Sequence, residues 1–429
     1  MAHEYISINL PLKTTTSIYD RLRNILMIAH CVLLTIYRFY RYGPETKSWD
    51  LRFHIIKDVM HTFLADSLPH DLKNTDSQRI NYREIADYIS LNNLPIRPLT
   101  IRDGVNREFS IEINHSLCVD YPSLTYKDSG RRLQKLAQED RRACDAQAPR
   151  TLSFQCVLGK HAMHCHTCKS QVMGSEILAP YPIRKDEQII LHFHGGAYCL
   201  GERSLNHLFI YANTSSATNM RVFSPNYALA PRHCFPQQLH DCYIAYRYLL
   251  NNGFAPRNIV LGGDSAGGTL ALGLLLLLKD LKMEMPRAAM LVSPWVDVTC
   301  PGNSWLTNRN LDYLPAFSLE DPFHPTRMFY DAGRPLSQQM LEELKCPLVS
   351  PVYGDLSGLP PLLVQMGQNE LLHDDICTLV AKIKKQNRDR PNAVTLEVYK
   401  DMPHVFVLFD FTDAAKRAFE SMANFVQTV

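Results

Sequence analysis

The sequence predicts an α/β fold, with a mostly parallel β-sheet flanked by helices. From about residue 150 onward, short apolar runs alternate with segments of helical periodicity. Most of these runs are continuously apolar, as expected of parallel strands that are covered on both faces. The runs at 189–193 and 258–262 lead into glycines, which mark the turns between strands and helices. Together these features indicate βαβ units.

Six apolar runs are strand candidates, and two segments between them are clear helices. The strand candidates are Ile189–Phe193, Arg221–Ser224, Asn258–Gly262, Ala289–Ser293, Pro361–Gln365 and Val394–Val398. The helices are Gln238–Asn251 and Gly268–Leu281. The second is largely aliphatic, which favours a buried helix over a membrane segment. Functional side chains of parallel sheets lie at the carboxyl ends of the strands, so motifs are expected there.

Residues 1–150 are predicted to form a separate helical region before the α/β domain of residues 151–429. Apolar residues between Leu51 and Leu64 recur at helical spacing. The run Ile25–Tyr37 has 13 mostly apolar residues with arginines on both sides. A bilayer-spanning helix needs about 20, so we expect a helix packed on the protein or lying at a membrane surface.

The composition argues against several classes of protein. The chain of 429 residues has 45 Lys and Arg against 43 Asp and Glu, so no nucleic-acid partner is indicated. With 46% apolar and 21% charged residues, it is not a disordered chain. Twelve scattered cysteines and the lack of an early apolar block predict reduced thiols and a cytoplasmic protein. A signal anchor in the endoplasmic reticulum, with glycosylation at Asn114 or Asn213, is the alternative.

Ser265 is the candidate nucleophile. It is the centre of a G-x-S-x-G sequence, Gly263–Gly267, that lies between a strand candidate and a helix. In that setting the glycines allow a sharp turn that exposes the serine hydroxyl at the top of the sheet. The helix behind the serine directs its N-terminal amides towards developing negative charge. The alternative, a glycine-rich packing turn, leaves this placement unexplained.

The segment His194-Gly195-Gly196 follows the first strand candidate and is predicted to bind an oxyanion. Acyl transfer needs backbone amides aimed at the oxyanion, and glycines let those amides approach it. We expect the donors to be the amides of Gly195, Gly196 and Ala266, the last being the residue after the nucleophile. His194 is expected to order the loop rather than to transfer protons.

His404 is the candidate base, since it follows the last strand candidate and precedes the last helix. On this type of sheet the chain order is serine, acid, histidine. The acid is therefore expected after the strand candidate Pro361–Gln365, where Glu370, Asp374 and Asp375 all lie. The residues alone leave the choice among these three carboxylates open.

Residues 161–168 contain a cluster of histidines and cysteines. Five potential zinc ligands fall within eight positions, namely His161, His164, Cys165, His166 and Cys168. A structural zinc site normally needs a second ligand pair farther along the chain, and none follows. We therefore predict a surface hairpin, with neither a metal nor an organic cofactor in the protein.

Residues 189 to about 425 resemble the hormone-sensitive lipase branch of the α/β-hydrolases, which includes arylacetamide deacetylases and microbial carboxylesterases. The motifs that carry the resemblance are His194–Gly196, Asn226–Pro231, Phe235-Pro236, Asp241, Gly263–Gly268, Ser293–Trp295, Leu359–Pro361 and Glu370–Asp375. In this family the acid stands four residues before the first aspartate of the last motif, which selects Glu370. The usual arginine and glutamate of Y-R-L-A-P-E are Ala228 and Arg232, a departure expected to alter a structural ion pair.

The resemblance implies a serine carboxylesterase with Ser265, Glu370 and His404 as its catalytic triad and with residues 1–150 as a helical cap. It implies short-acyl, acetyl-type esters of a hydrophobic small molecule as substrates. Two other functions stay open, a catalytically silent ligand-binding protein on the same fold and an interfacial lipase. Peripheral membrane contact through Ile25–Tyr37 is an alternative to packing on the core, and no oligomeric state is predicted.

Overall fold

An eight-stranded sheet forms the centre of the protein in the computed structural model, which describes residues 18–65, 104–121, 124–159, 187–201 and 205–429. The strands are β1 (Gly104–Glu112), β2 (Thr151–Gly159), β3 (Ile189–Phe193), β4 (Arg221–Pro225), β5 (Ile259–Asp264), β6 (Ala288–Val292), β7 (Leu362–Gly367) and β8 (Val394–Tyr399). Their order across the sheet is β1-β2-β4-β3-β5-β6-β7-β8. Neighbours from β4 to β8 pair in parallel, whereas β2 is antiparallel to both β1 and β4.

Helices cover the sheet on both sides. They are α1 (Ile18–Tyr42), α2 (Leu51–Ala65), α3 (Lys127–Asp145), α4 (Leu205–Thr218), α5 (Gln237–Asn251), α6 (Ala266–Asp280), α7 (Ser304–Thr307), α8 (Pro325–Asp331), α9 (Gln338–Leu344), α10 (His373–Gln386) and α11 (Asp413–Thr428). Short 3-10 turns lie at Pro256–Asn258, Pro351–Tyr353, Pro391–Ala393 and Phe406–Leu408. The predicted α/β fold is confirmed, and each predicted strand is present with its ends shifted by at most two residues.

Neighbouring residues of the central strands face different apolar layers. In β5, Ile259 and Leu261 pack in the same layer as the leucines of α6. Val260, which lies between them, packs in the opposite layer with Ile210 of α4 and Phe419 of α11. Because both faces are covered, the strand is apolar throughout its first residues. The side chains of α6 from its start to Leu278 are all buried, which explains its aliphatic sequence without a membrane.

The region before residue 150 is predicted to be helical, but the structure differs because residues Gly104–Glu112 form the strand β1. β1 pairs with β2 along its whole length, from Gly104 opposite Gly159 to Glu112 opposite Thr151. Towards the end of β1, apolar Phe109 and Ile111 alternate with Ser110 and Glu112, which is the pattern of a strand with one covered face. The division of the chain at residue 150 stays a prediction, and the sheet contains strands from both sides of that position.

A buried ion-pair network joins residues on the two sides of that position. The guanidinium of Arg150 donates to Oδ1 of Asp140 in α3 at 2.6 Å and lies 2.8 Å from Oδ1 of Asp241 in α5. The other oxygen of Asp241 accepts the backbone N–H of Ala228 at 2.9 Å. Asp241 therefore has a cationic partner although the arginine of Y-R-L-A-P-E is absent, and that partner, Arg150, immediately precedes β2.

The first two helices pack against each other and against the end of the chain. α1 is longer than the apolar run Ile25–Tyr37, and Thr35 on it donates to Asp58 on α2 at 2.7 Å. The ring of Phe53 on α2 stacks on Phe409 with 4.5 Å between ring centroids. Among the helices that the structure describes, none combines the length and hydropathy needed to cross a membrane.

Candidate active site

Ser265 lies at the sharp turn between β5 and α6. Its backbone adopts φ 52° and ψ −121°, a conformation that non-glycine residues rarely hold, and its N–H donates to the carbonyl of Val292 at 2.9 Å. The turn requires glycine at Gly267, because a Cβ there would lie 1.9 Å from the carbonyl oxygen of Phe193. The tight approach of β3, β5 and α6 therefore holds the Ser265 hydroxyl at the carboxyl end of the sheet.

His404 is in hydrogen-bond contact with Ser265. Its Nε2 lies 2.8 Å from the Ser265 Oγ, which is the distance required for proton transfer between the two. His404 follows β8 in a turn in which the next residue, Val405, has φ 42°. Both side chains of the pair are largely buried, so solvent competes little for this hydrogen bond.

Glu370 is the carboxylate that faces the other side of His404. Its Oε1 lies 3.9 Å from the Nδ1 of His404, and the imidazole has no other carboxylate within 4.0 Å among the described residues. Oε2 of Glu370 accepts hydrogen bonds from the Ser293 hydroxyl at 2.6 Å and from the N–H of Gly367 at 2.8 Å. These two donors orient the carboxylate, and the remaining oxygen is directed to His404.

The other two carboxylates in the sequence motif face elsewhere. Asp374 accepts the backbone N–H of Ser304 at 2.9 Å, and Asp375 accepts the indole N–H of Trp305 at 3.0 Å. Both therefore hold α7 rather than the imidazole. The structure brings Ser265, His404 and Glu370 together and leaves these two competitors outside the group.

The charges around His404 favour its protonated form. Burial acts to lower the pKa of His404, but the negative charges of Glu370, Asp312 and Asp264 outweigh it, so the pKa is raised above its ordinary value. The effect of Asp312 is notable because sequence reasoning had not singled this residue out. Its partners include the backbone amides of Leu371 and His404, far away in the chain, and no motif in the sequence marks such contacts.

The segment from His194 to Ala197, called the oxyanion loop below after its predicted role, differs from the prediction at one residue. The N–H of Gly195 donates to Oδ2 of Asp264 at 3.1 Å. Contrary to the prediction, this amide is therefore not available to bind an oxyanion. By contrast, within the described part of the chain the backbone N–H groups of Gly196 and Ala197 have no hydrogen-bond partner. Ala266 is the first residue of α6, where amides lack acceptors inside the helix. Gly196 and Ala266 thus remain candidate donors, and Ala197 joins them.

Ala197 was missed because the motif was interpreted through its glycines. It has φ 52°, a conformation in which a glycine is expected and which this alanine nevertheless holds. A sequence signal did exist, since the residue directly continues the His194-Gly195-Gly196 segment. The requirement of the site is an unpartnered backbone N–H, which every residue type except proline supplies.

His194 makes contacts within the oxyanion loop. Its Nδ1 donates to the carbonyl of Gly195 at 2.8 Å, and its ring stacks on Tyr227 at 4.1 Å between centroids. Burial lowers the pKa of His194 to about 3, so the ring is neutral at physiological pH. The imidazole in contact with the Ser265 hydroxyl is that of His404. The role of His194 in ordering the loop stays a prediction.

No metal site is formed by the residues that the structure describes, in which no group of three histidine, cysteine or acidic side chains is arranged to hold an ion. The cluster at 161–168 lies outside the described residues. The assembled site contains a hydroxyl, an imidazole, a carboxylate and three free amides. That set can activate the hydroxyl for attack on an acyl carbon and bind the resulting oxyanion.

The chain is similar to known hydrolases. Residues 190–408 match a family model described as alpha/beta hydrolase fold. The chain is 35% identical over 250 residues to an acetyl-hydrolase of Streptomyces hygroscopicus, an alignment that covers 58% of this chain and 78% of that protein. It is 34% identical over 262 residues to an esterase of Acinetobacter venetianus, covering 60% of this chain and 80% of that protein.

A solved structure gives the same indication. The crystal structure of a hormone-sensitive lipase from a metagenome library superposes with a TM-score of 0.51 at 29% sequence identity. The superposition covers 65% of this chain and 82% of that chain.

Proposed function

Since the chain belongs to the α/β-hydrolase family, in its hormone-sensitive lipase-type branch, and is a carboxylic ester hydrolase, we propose that Ser265, His404 and Glu370 form its catalytic triad. The 2.8 Å contact between the Ser265 Oγ and the His404 Nε2 is the observation that carries this proposal. It pairs the one hydroxyl at the elbow with a base of suitable geometry.

The proposed reaction has two steps. His404 accepts the proton of Ser265 as the Oγ attacks the ester carbonyl, and Glu370 stabilises the imidazolium that forms. The protonated imidazole then gives its proton to the departing alkoxide, which leaves as the alcohol. A water molecule then attacks the acyl carbon of the acyl-enzyme while His404 takes its proton. The protonated His404 gives that proton to the departing Ser265 Oγ, which releases the carboxylic acid and regenerates Ser265.

The amides of Gly196, Ala197 and Ala266 are proposed to bind the oxyanion of each tetrahedral intermediate. Gly195 is excluded because its N–H is bound to Asp264. Loss of a single oxyanion donor costs about 10²–10³ in kcat in a comparable site. The carboxylate of Asp264 is thus proposed to set the loop conformation in which the two following amides stay free.

We propose that the substrates are short-acyl, acetyl-type esters of a hydrophobic small molecule. The support is the similarity to a protein named acetyl-hydrolase, together with the 2.8 Å contact between Ser265 and His404 and the Glu370 carboxylate 3.9 Å from the imidazole. That arrangement argues against a silent ligand-binding protein. An interfacial lipase is not favoured by these relatives, and it predicts the opposite order of acyl preference.

A panel of esters with graded acyl and alcohol size, run on the wild type and on Ser265→Ala, tests this proposal. We expect acetyl and butyryl esters to be cleaved faster than long-chain esters, and the variant to be inactive. A fluorophosphonate probe should label the wild type and not the variant. Absence of labelling in active protein would remove Ser265 as the nucleophile, and a preference for long acyl chains would favour the lipase.

We further propose that α1 contacts a membrane surface that carries anionic lipids. The side chains of Leu26, Leu33, Tyr37 and Tyr40 are 58–76% exposed, and their spacing of seven, four and three residues places them on one face of the helix. Apolar and aromatic side chains on an exposed helix face suit the boundary between lipid headgroups and acyl chains. Exposed arginines near the end of the helix supply the charge that attracts anionic lipids.

Sedimentation with vesicles tests the α1 proposal. We expect binding to phosphatidylcholine vesicles that contain phosphatidylserine, and binding about tenfold weaker without it. Leu33→Ser should reduce binding, whereas Leu306→Ser should not, because Leu306 is equally exposed, at 69%, but lies on α7. Equal effects of the two substitutions, or equal binding to neutral vesicles, would contradict a specific role for α1.

For the location of the protein we propose the cytoplasm. The described cysteines are all free, which fits a reducing compartment. Of the two sequons, Asn114 is exposed, whereas Asn213 lies within α4 beside the fully buried Ser215. Carbonate extraction and glycosidase treatment test this location. A glycan on Asn114 together with carbonate-resistant membrane retention would contradict it.

A further inference from the structure

Asp312 connects the two loops that carry the proposed acid and base. Its side chain is 2% exposed, in the segment between α7 and α8. Oδ1 accepts the backbone N–H of His404 at 3.2 Å, and Oδ2 accepts the backbone N–H of Leu371 at 2.7 Å. Leu371 follows Glu370 directly, so one carboxylate binds the main chain of the base and the main chain next to the acid.

The rest of the segment adds further contacts to the same loops. Oδ1 of Asp312 also accepts the N–H of Tyr313 at 2.7 Å, which fixes the carboxylate to its own turn. Asn308, four residues earlier, donates from its side-chain amide to the carbonyl of Glu370 at 3.0 Å. The distance between Glu370 and His404 is therefore determined by a third stretch of chain.

The charge of Asp312 acts on the same pair. Burial raises the pKa of Asp312 to about 6, so the carboxylate is mostly ionised at neutral pH. The charged side chains that affect the pKa of Asp312 are those of His404, which lowers it, and Glu370, which raises it. From α2, Lys57 donates to the carbonyl of Asn310 and His61 contacts the carbonyl of Tyr313, so both face the backbone of the segment.

We propose that Asp312 is a positioning residue of the ester hydrolase, which holds the Glu370 and His404 loops in register and strengthens His404 as a base through its negative charge. The inference rests on the proposed triad, and it adds a second buried carboxylate to the acid–base pair. Asp312 touches neither substrate nor the reacting atoms in this role. It acts through the backbone of His404 and through the electrostatic potential at the imidazole.

The test compares Asp312→Asn with Asp375→Asn. Both substitutions replace a buried carboxyl group by an amide of nearly the same volume, and burial raises the pKa of both carboxyls, to about 6 for Asp312 and about 7 for Asp375. Asp375 binds Trp305 and not the acid–base loops. For Asp312→Asn we expect kcat to fall about tenfold to 100-fold with little change in KM, because the base is misplaced. The acid limb of the kcat/KM profile should move to lower pH by about one unit, since His404 loses a nearby negative charge. Asp375→Asn should leave that limb in place.

The outcomes separate the inference from the proposed function. If wild type is active and labelled at Ser265 while Asp312→Asn keeps its kcat and its pH profile, the positioning role is refuted and the triad is not. An equal shift of the acid limb in Asp375→Asn also refutes the positioning role, because loss of any buried carboxyl group would then have the same effect. If Asp312→Asn does not fold, Asn308→Ala decides. A lower kcat at unchanged KM supports the positioning segment, and an unchanged kcat overturns it.

Discussion

The hydroxyl of Ser293 donates a 2.6 Å hydrogen bond to Oε2 of Glu370. The Oγ of Ser293 in turn accepts the backbone N–H of Val405, the residue after the proposed base, at 3.0 Å. Ser293 follows β6 and has φ 48°, and its hydroxyl contacts the segments that follow β7 and β8. A serine that follows the neighbouring strand thus connects the acid loop to the base loop.

Ser265→Ala should abolish ester hydrolysis without unfolding the protein. The methyl group fits the same turn, and the lost nucleophile should lower kcat by about 10⁶. Steady-state rates with a p-nitrophenyl ester measure the effect, and circular dichroism checks the fold. A folded variant that retains even a tenth of the wild-type rate would falsify the assignment of the nucleophile.

Glu370→Gln should impair kcat more than Asp374→Asn and less than His404→Ala. The acid orients and stabilises the imidazolium, whereas the histidine itself moves the proton. Asp374 serves as the matched control because it lies in the same motif and binds Ser304. The three kcat values, measured on folded variants, decide the order. Glu370 is the wrong carboxylate if Asp374→Asn is the more damaging of the two acid substitutions.

The pH profile should reflect a base with a raised pKa. Neutral His404 is the active form, and because its pKa is raised, more alkaline conditions are needed to deprotonate it. The acid limb of kcat/KM should therefore have its midpoint above the ordinary histidine value of about 6.5. Glu370→Gln should shift that midpoint down, since it removes a neighbouring negative charge. An activity optimum below about pH 5 is incompatible with this base.

Gly267→Ala and Gly273→Ala should have opposite effects on stability, although both lie in α6. A Cβ at Gly267 would meet the Phe193 carbonyl at 1.9 Å, whereas one at Gly273 has ordinary contacts at 3.5 Å with Leu239 and Leu348. We expect Gly267→Ala to lose about 2 kcal/mol or more of unfolding free energy and Gly273→Ala to gain up to about 1 kcal/mol. Urea denaturation measures both. Similar values for the two variants would mean that the elbow tolerates more movement than its packing indicates.

Features determined by short stretches of chain were predictable. The strand β5, the turn at Ser265 and the buried helix α6 follow one another without interruption, and each is encoded by its own residues. His404 could be located because it follows the last strand. Local sequence and strand order were sufficient for these, since parallel strands end at one edge of the sheet.

Features that depend on contacts between distant segments were not predictable. The Gly195 amide is occupied because Asp264, 69 residues later, accepts from it. Asp312 binds the backbone of two loops, and backbone partners leave no mark in the sequence. β1 was not predicted because an edge strand needs only a few alternating apolar and polar residues, and because its pairing partner, β2, follows α3 in the chain.

The Arg150 network has a consequence for any shortened form of the protein. Asp241 is 1% exposed on its side chain and is paired with the guanidinium of Arg150, the residue just before β2. A chain lacking the first 150 residues would bury that carboxylate without a counter-charge, a loss of about 3–5 kcal/mol for a buried pair. Removal of β2 as well would leave β4 as an unpaired sheet edge, open to association with another molecule. Because residues on both sides of position 150 share the sheet and this ion-pair network, we expect them to unfold in one cooperative transition.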